Sequence, residues 1–216
     1  PNLNSNFHLA QYMKDVYLDS QVSVAIMTNN NSAAIPGEGG SRPPRNVEES
    51  EAFEILTAGQ TMATGDWVNQ LAGSKRMLGH GQLYTGKFNL WYIEKQIEEY
   101  KPDSWKGYNI ATAAKVDDDP NSPMMRWTLD DPEVAYPTYA KIDEYARRNN
   151  GAILKQYPGF RNLSIHKGLS TNGGPDPRLG HPIDIPKAAR DWPQFNFIIY
   201  HSCIRPAFWV LNALTD

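Results

Sequence analysis

Along the chain, short apolar runs alternate with longer stretches in which apolar residues recur every three or four positions. Five runs read as strands, at residues 22–28, 77–85, 105–111, 163–166 and 195–201. The clearest is Phe195-Asn196-Phe197-Ile198-Ile199-Tyr200, almost continuously apolar or aromatic and bracketed by Pro193 and Ser202. Such a run is expected of a strand covered on both faces, as in a parallel sheet. Helical periodicity fills the gaps. Leu90, Ile93, Ile97 and Tyr100 recur at spacings of three and four behind Asn89, an expected N-cap. Residues 48–71 carry a stripe through Ala52, Ile55, Leu56, Gly59, Met62 and Ala63, with Gly59 and Gly65 as the expected points of weakness. Tyr139, Ile142 and Ala146 mark another helix, ending in Arg147-Arg148-Asn149-Asn150-Gly151, a basic last turn before a Gly stop. Asp184-Ile185-Pro186 and Arg205-Pro206 read as helix starts with Pro in the first turn, and residues 4–18 as a helix ahead of the first strand.

Strand and helix in alternation imply an α/β fold with parallel strands, in a sheet that is either open or closed into a barrel. No internal repeat or domain boundary interrupts the pattern, so residues 1–216 read as a single domain. Two connections, 29–46 and 113–132, exceed ordinary loop lengths, and loops of that size commonly serve a binding face.

Composition narrows the partners. The 216 residues include 21 Lys and Arg against 24 Asp and Glu, a formal charge of -3, without the basic excess of a nucleic-acid binder. No apolar run reaches the roughly 18 residues of a membrane span, and the first ten residues lack the basic start and apolar stretch of a secretory leader. Cys203 is the sole cysteine, so no internal disulfide forms and the fold rests on its core. The partner expected is a small-molecule substrate, with no nucleic acid and no membrane; homo-oligomerisation and compartment are left open.

Two histidines stand out by position. His166 closes Asn162-Leu163-Ser164-Ile165-His166, and His201 closes Phe197-Ile198-Ile199-Tyr200-His201, 35 residues later and about one βα unit away. The carboxyl ends of parallel strands host active sites in α/β folds. Neighbouring strands lie about 4.8 Å apart, so two imidazoles there can converge on one ion. A strand-end histidine also serves as a hydrogen-bonded structural residue, and two ligands fall short of the three that a catalytic site usually needs. His80 reads as a core or barrel-interior residue, His181 as a loop-turn residue on the same face as His166, and His8 as surface. Lys167 and Lys106 are candidate anion binders, and Lys106 also a candidate carbamylated ligand, although its early place in its strand sets it away from the carboxyl end. Asp117-Asp118-Asp119 lacks the Gly and distal Glu of an EF-hand loop and reads as a solvated turn. Cys203 reads as a buried thiol. No phosphate-binding Gly loop and no Gly-x-Ser-x-Gly elbow occurs.

Three stretches taken in order carry a family likeness: Ile165-His166-Lys167-Gly168, His181-Pro182-Ile183-Asp184-Ile185-Pro186-Lys187-Ala188-Ala189, and Phe195 through Ser202. They resemble the amidohydrolase-related (amidohydrolase 2 type) family of metal-dependent TIM-barrel hydrolases. Tyr17-Leu18-Asp19-Ser20 with Val22-Ser23-Val24-Ala25-Ile26 is similar to that family's second strand, and Arg76 through Gly81 to its third. The resemblance implies an incomplete (β/α)8 barrel covering strands two to six, with missing units on both sides. It implies one divalent ion, zinc being expected, held by His166 on the fifth strand, with His201 on the sixth as a ligand or a proton-transfer group. His181 and Lys167 would contact substrate. The family's first-strand His-x-His or Glu-x-His and its eighth-strand Asp have no counterpart here. The implied activity is hydrolysis of an ester, amide or lactone; a lyase that decarboxylates aromatic acids and a metal-free, non-catalytic homologue are the alternatives. An incomplete ligand set predicts that this chain by itself binds metal weakly and turns nothing over. Stoichiometric tight zinc together with turnover in the purified chain would contradict that expectation.

Overall fold

Apolar runs flanked by polar turns do form strands here, and they form them in the expected order. The computed structural model describes residues 9–28, 35–37, 40–42, 45–53, 56–109, 126–168 and 177–203. Seven strands are described: β1 (Ala25–Met27), β2 (Ile35–Gly37), β3 (Gly40–Arg42), β4 (Met77–Gln82), β5 (Ser104–Gly107), β6 (Asn162–His166) and β7 (Asn196–Tyr200). Strands β1, β4, β5, β6 and β7 make a five-stranded, all-parallel sheet in that order, curled into a half-barrel. β2 and β3 pair antiparallel within the first long connection.

Helices link successive sheet strands: α2 (Val47–Phe53) and α3 (Ala58–Ala72) before β4, α4 (Leu90–Lys95) before β5, α5 (Ala135–Gln156) before β6, and α6 (Ile185–Asp191) before β7. α1 (Leu9–Met13) precedes β1 and continues as a wider turn through Lys14–Leu18. No helix among the described residues is long and apolar enough to cross a membrane.

The stripe over 48–71 does divide in two, but Thr57 rather than a glycine sets the division. Thr57 Oγ1 accepts the Gln60 N–H at 3.1 Å while Gln60 Oε1 accepts the Thr57 N–H at 2.9 Å, a reciprocal cap that starts α3 afresh. Asn89 stands at the start of α4 without capping it; its side-chain amide donates to the Thr85 carbonyl instead, at 2.7 Å, because a tight turn over Lys87–Asn89 leads into the helix. α5 breaks where the basic turn and Gly stop were expected, with extended or left-handed backbone from Arg148 to Gly151. The reading of α6 from Asp184-Ile185-Pro186 agrees with the structure. Arg205-Pro206, His8 and Asp117-Asp118-Asp119 lie outside the described residues.

Side chains alternate across each strand, and here the alternation separates two chemistries. Trp105, Leu163, Ile165, Phe197 and Ile199 face the helices and pack with Ile93, Ile97, Tyr139, Ile142, Ala146 and Ala188 in one core. The other face carries His80 and Gln82 on β4, Ser104 and Lys106 on β5, Ser164 and His166 on β6, and Ile198 and Tyr200 on β7. Registers His80↔Ser104, Gln82↔Lys106, Lys106↔Ser164, Ser164↔Ile198 and His166↔Tyr200 place these residues side by side. The expectation that 195–201 is covered on both faces fails. β7 pairs only with β6 among the described residues, and Asn196 and Ile198 on it are exposed.

Gly81 permits a close approach on the helix side: a Cβ there would stand 2.9 Å from the Trp105 ring and 3.1 Å from Gln96 Oε1. That oxygen accepts the Gln82 N–H at 2.7 Å. Gly81→Ala is therefore expected to lower stability by about 1–3 kcal/mol through overpacking, read as a reduced urea midpoint with an unchanged slope. An unchanged midpoint would show that the ring moves aside freely.

Candidate functional site

At the carboxyl ends of β6 and β7 the structure brings His166 and His201 together, with ring centroids 4.4 Å apart and planes inclined at 59°. His166 is the last residue of β6, and strand alternation aims it at the polar inner face. His201 follows β7 directly. It and the next two residues take left-handed backbone angles (φ 64, 49 and 57°), a conformation costing roughly 1–2 kcal/mol per non-glycine residue. Strain of this kind concentrates at functional sites.

His166 Nε2 is buried and has no hydrogen-bond partner. Burial first, then the neighbouring Lys106 and His201, push the His166 imidazole down to about 4, against an opposing backbone hydrogen bond with Gly168. The ring is thus neutral at pH 7 and keeps a lone pair free, the form in which imidazole binds metals. This donor pair fits part of the coordination sphere of a divalent ion. Among the described residues no group of three or more His, Cys, Asp and Glu side chains completes it.

A second set of residues adjoins the pair, of which the sequence singles out His80 and Lys106 but not Ser104, Tyr108 or Tyr200. His80, the expected interior residue, is buried in β4, its Nδ1 2.8 Å from Ser104 Oγ and its Nε2 3.2 Å from the Tyr200 hydroxyl. Burial, reinforced by Lys106, holds His80 down at about 4. Lys106 corrects an expectation. β5 ends at Gly107 rather than running on to 111, so Lys106 is the next-to-last strand residue and belongs to the carboxyl-end group. Its Nζ stands 3.7 Å from the Tyr108 ring centre and 4.7 Å from that of Tyr200, and the Tyr108 ring in turn lies 5.3 Å from His166. The signal that reveals these residues is period-two polarity on adjacent strands: His80 and Gln82, Ser104, Lys106 and Tyr108, Ser164 and His166.

Lys167 turns to the opposite side and is fully buried. Its ammonium donates to the carbonyls of Leu179 (2.8 Å) and His181 (3.2 Å) and to Asp184 Oδ2 (2.7 Å). Asp184 Oδ2 also accepts the Leu129 N–H at 2.8 Å. Lys167 therefore fastens the segment before α6 to the end of β6, with all three of its protons used inside the protein. His181 Nδ1 accepts the Ile183 N–H at 3.1 Å and caps the short turn Pro182–Asp184, as a loop-turn residue would. Cys203 is half-buried, and burial pushes its thiol up, away from the thiolate a nucleophile needs. A cavity of about 620 Å³ opens at the amino ends of the strands, lined among others by Asp66, Lys75, Met77, Asp103 and Tyr157, remote from the imidazole pair.

Comparison with protein-family models, with curated proteins and with solved structures returns no match for this chain.

The two depressed imidazoles have a measurable consequence. Between about pH 4 and 6.5 the unfolded chain binds protons at positions 80 and 166 that the folded chain does not, so stability rises with pH across that window. A proton NMR titration should show His80 and His166 neutral down to about pH 5. Midpoints near the ordinary 6.5 would contradict the described burial.

Proposed function

We propose that this chain forms the metal-binding half of an amidohydrolase-type hydrolase, an incomplete (β/α)8 barrel acting on an ester, amide or lactone of a small molecule. The observation that carries the reading is the His166–His201 pair, two rings 4.4 Å apart at adjacent parallel strand ends, one with a buried, unpartnered nitrogen. His166 and His201 would hold one divalent ion, zinc being the best match to imidazole donors. When bound, such an ion supplies Lewis acidity for a carbonyl oxygen and acidifies a water.

The remaining chemistry belongs to the chain's own side chains. His166, kept neutral by burial and by Lys106, presents a lone pair rather than a proton. His201 is exposed at the mouth of the sheet, where it can also take or deliver a proton at the substrate oxygen. Of the two substrate-contact candidates, His181 is half-buried and Lys167 is fully buried. Lys167 acts by holding the 179–184 segment in place, and the His181 ring, half-buried beside it, is the nearer of the two to solvent. The core packed against α4, α5 and α6 keeps the strand ends in register, which fixes the spacing of the imidazoles.

Zinc titration tests the reading. His166→Ala and His201→Ala should each weaken zinc binding at least tenfold relative to the unaltered chain, with unchanged circular dichroism. Equal zinc affinity in all three proteins would refute shared ligation. In parallel, the reading frame that includes the flanking sequence should hydrolyse members of an ester, amide and lactone panel. Carbon dioxide release from aromatic acids with no hydrolysis would move the assignment to a lyase.

A further inference from the structure

The cavity at the amino ends of the strands takes no part in the chemistry proposed for the imidazole pair. About 620 Å³ in volume, it lies between α3, the start of β4, the turn before β5 and the end of α5. Strands β4 and β5 are each flanked by other strands on both sides, so the gap is not an open edge of the sheet. Met62, Met77, Gly65 and Gly79 give it an apolar part, and Tyr100 and Tyr157 an aromatic one. At Gly65 there is room to spare: a Cβ would meet only Met77, at 3.9 and 4.0 Å, ordinary van der Waals contact.

One ammonium already occupies part of this space. Lys75 Nζ pairs with Asp103 Oδ1 and stands 4.9 Å from the Tyr157 ring centre. A carboxylate together with an aromatic face is the environment that holds organic ammonium ions. The seat is fixed and its occupant is not. Asp103 Oδ2 accepts the Gly79 N–H at 3.0 Å, and the Asp103 N–H donates to the Gly79 carbonyl at 3.0 Å, so two bonds fasten this residue to β4. Lys75 stands in the short connection between α3 and β4 with its side chain nearly half exposed, and its flexible stem can carry the ammonium into solvent. A second carboxylate, Asp66, also lines the cavity and makes no ion pair among the described residues. Burial first, then Asp103 and Asp66, push the Tyr157 hydroxyl up, which sets both carboxylates near one ring.

We propose that this cavity is a binding site for an alkyl diammonium ion, a linear diamine or polyamine, with Lys75 as its built-in competitor. One ammonium of the ligand takes the seat between Asp103 and Tyr157 as Lys75 swings out. The other pairs with Asp66, and the methylene chain lies against the two methionines. A monoammonium ion of the same length lacks the second contact. Because a tethered group competes at a high effective concentration, the site binds weakly while Lys75 is seated and tightens when that ammonium is removed. Binding here needs no metal and neither His166 nor His201, so it does not rest on the hydrolase reading.

The probe is putrescine (1,4-diaminobutane), titrated calorimetrically at pH 7 and low salt into the unaltered chain and into Lys75→Met, beside butylamine. Putrescine should bind at least fivefold more tightly than butylamine. Lys75→Met should bind putrescine at least fivefold more tightly than the unaltered chain does, a gain that a lysine with a purely structural role would not give. Asp66→Asn should weaken putrescine at least fivefold. Gly65→Leu, which fills the cavity from a helical position, should weaken it at least tenfold. Absence of putrescine binding in both the unaltered chain and Lys75→Met, equal affinity for putrescine and butylamine, or a putrescine affinity that Lys75→Met leaves unchanged or lowers would overturn the proposal. The contrast between the two amines needs no variant, so it decides the matter even where a variant fails to fold.

Discussion

Side-chain alternation along parallel strands governs this molecule. On β5 the residues run Ser104, Trp105, Lys106, Gly107, and each step reverses the face presented. Trp105 enters the apolar core, where its Nε1 donates to the Phe160 carbonyl at 3.0 Å. Lys106, one residue on, is forced to the inner face whatever the cost of burying its charge. A slip of one residue between strands would send the lysine into the helices and the indole into the polar cluster, so the core fixes register and register fixes the site. Everything proposed for the inner face depends on that coupling.

The electrostatics of the inner face follow from its burial. Two imidazoles and one amine share a region where no carboxylate approaches Lys106 among the described residues, and each group is shifted toward its neutral form. His166, neutral and with one nitrogen free, keeps a lone pair, whereas both nitrogens of the His80 ring are engaged by Ser104 and Tyr200. Lys167 shows how the same residue type behaves when its role is structural. It reaches Asp184 across 17 positions of sequence, and its proton donors are all consumed.

How much of this was legible beforehand depended on whether the physical signal is local. The five sheet strands, the parallel arrangement and the break after Arg147 are written in runs of a few residues and were readable. The closeness of His166 and His201 was readable as well, because each ends an apolar run on neighbouring strands. Thr57-Ala58-Gly59-Gln60 carried a capping-box pattern, yet glycines drew attention from it. Lys106 was misplaced because nothing local marks the end of β5 at Gly107. Tyr200 was counted with the apolar residues of its strand although its hydroxyl meets His80, 120 residues earlier. Pairings of that kind exist only after the sheet has formed.

The claim on which the rest leans is that His166 and His201 face one cation together. X-ray absorption at the zinc edge of the zinc-loaded chain addresses it without any substrate. The account predicts two imidazole nitrogens at about 2.0–2.1 Å, with one lost in His166→Ala and one in His201→Ala. A spectrum with no imidazole scattering, or one that both variants leave unchanged, would contradict it.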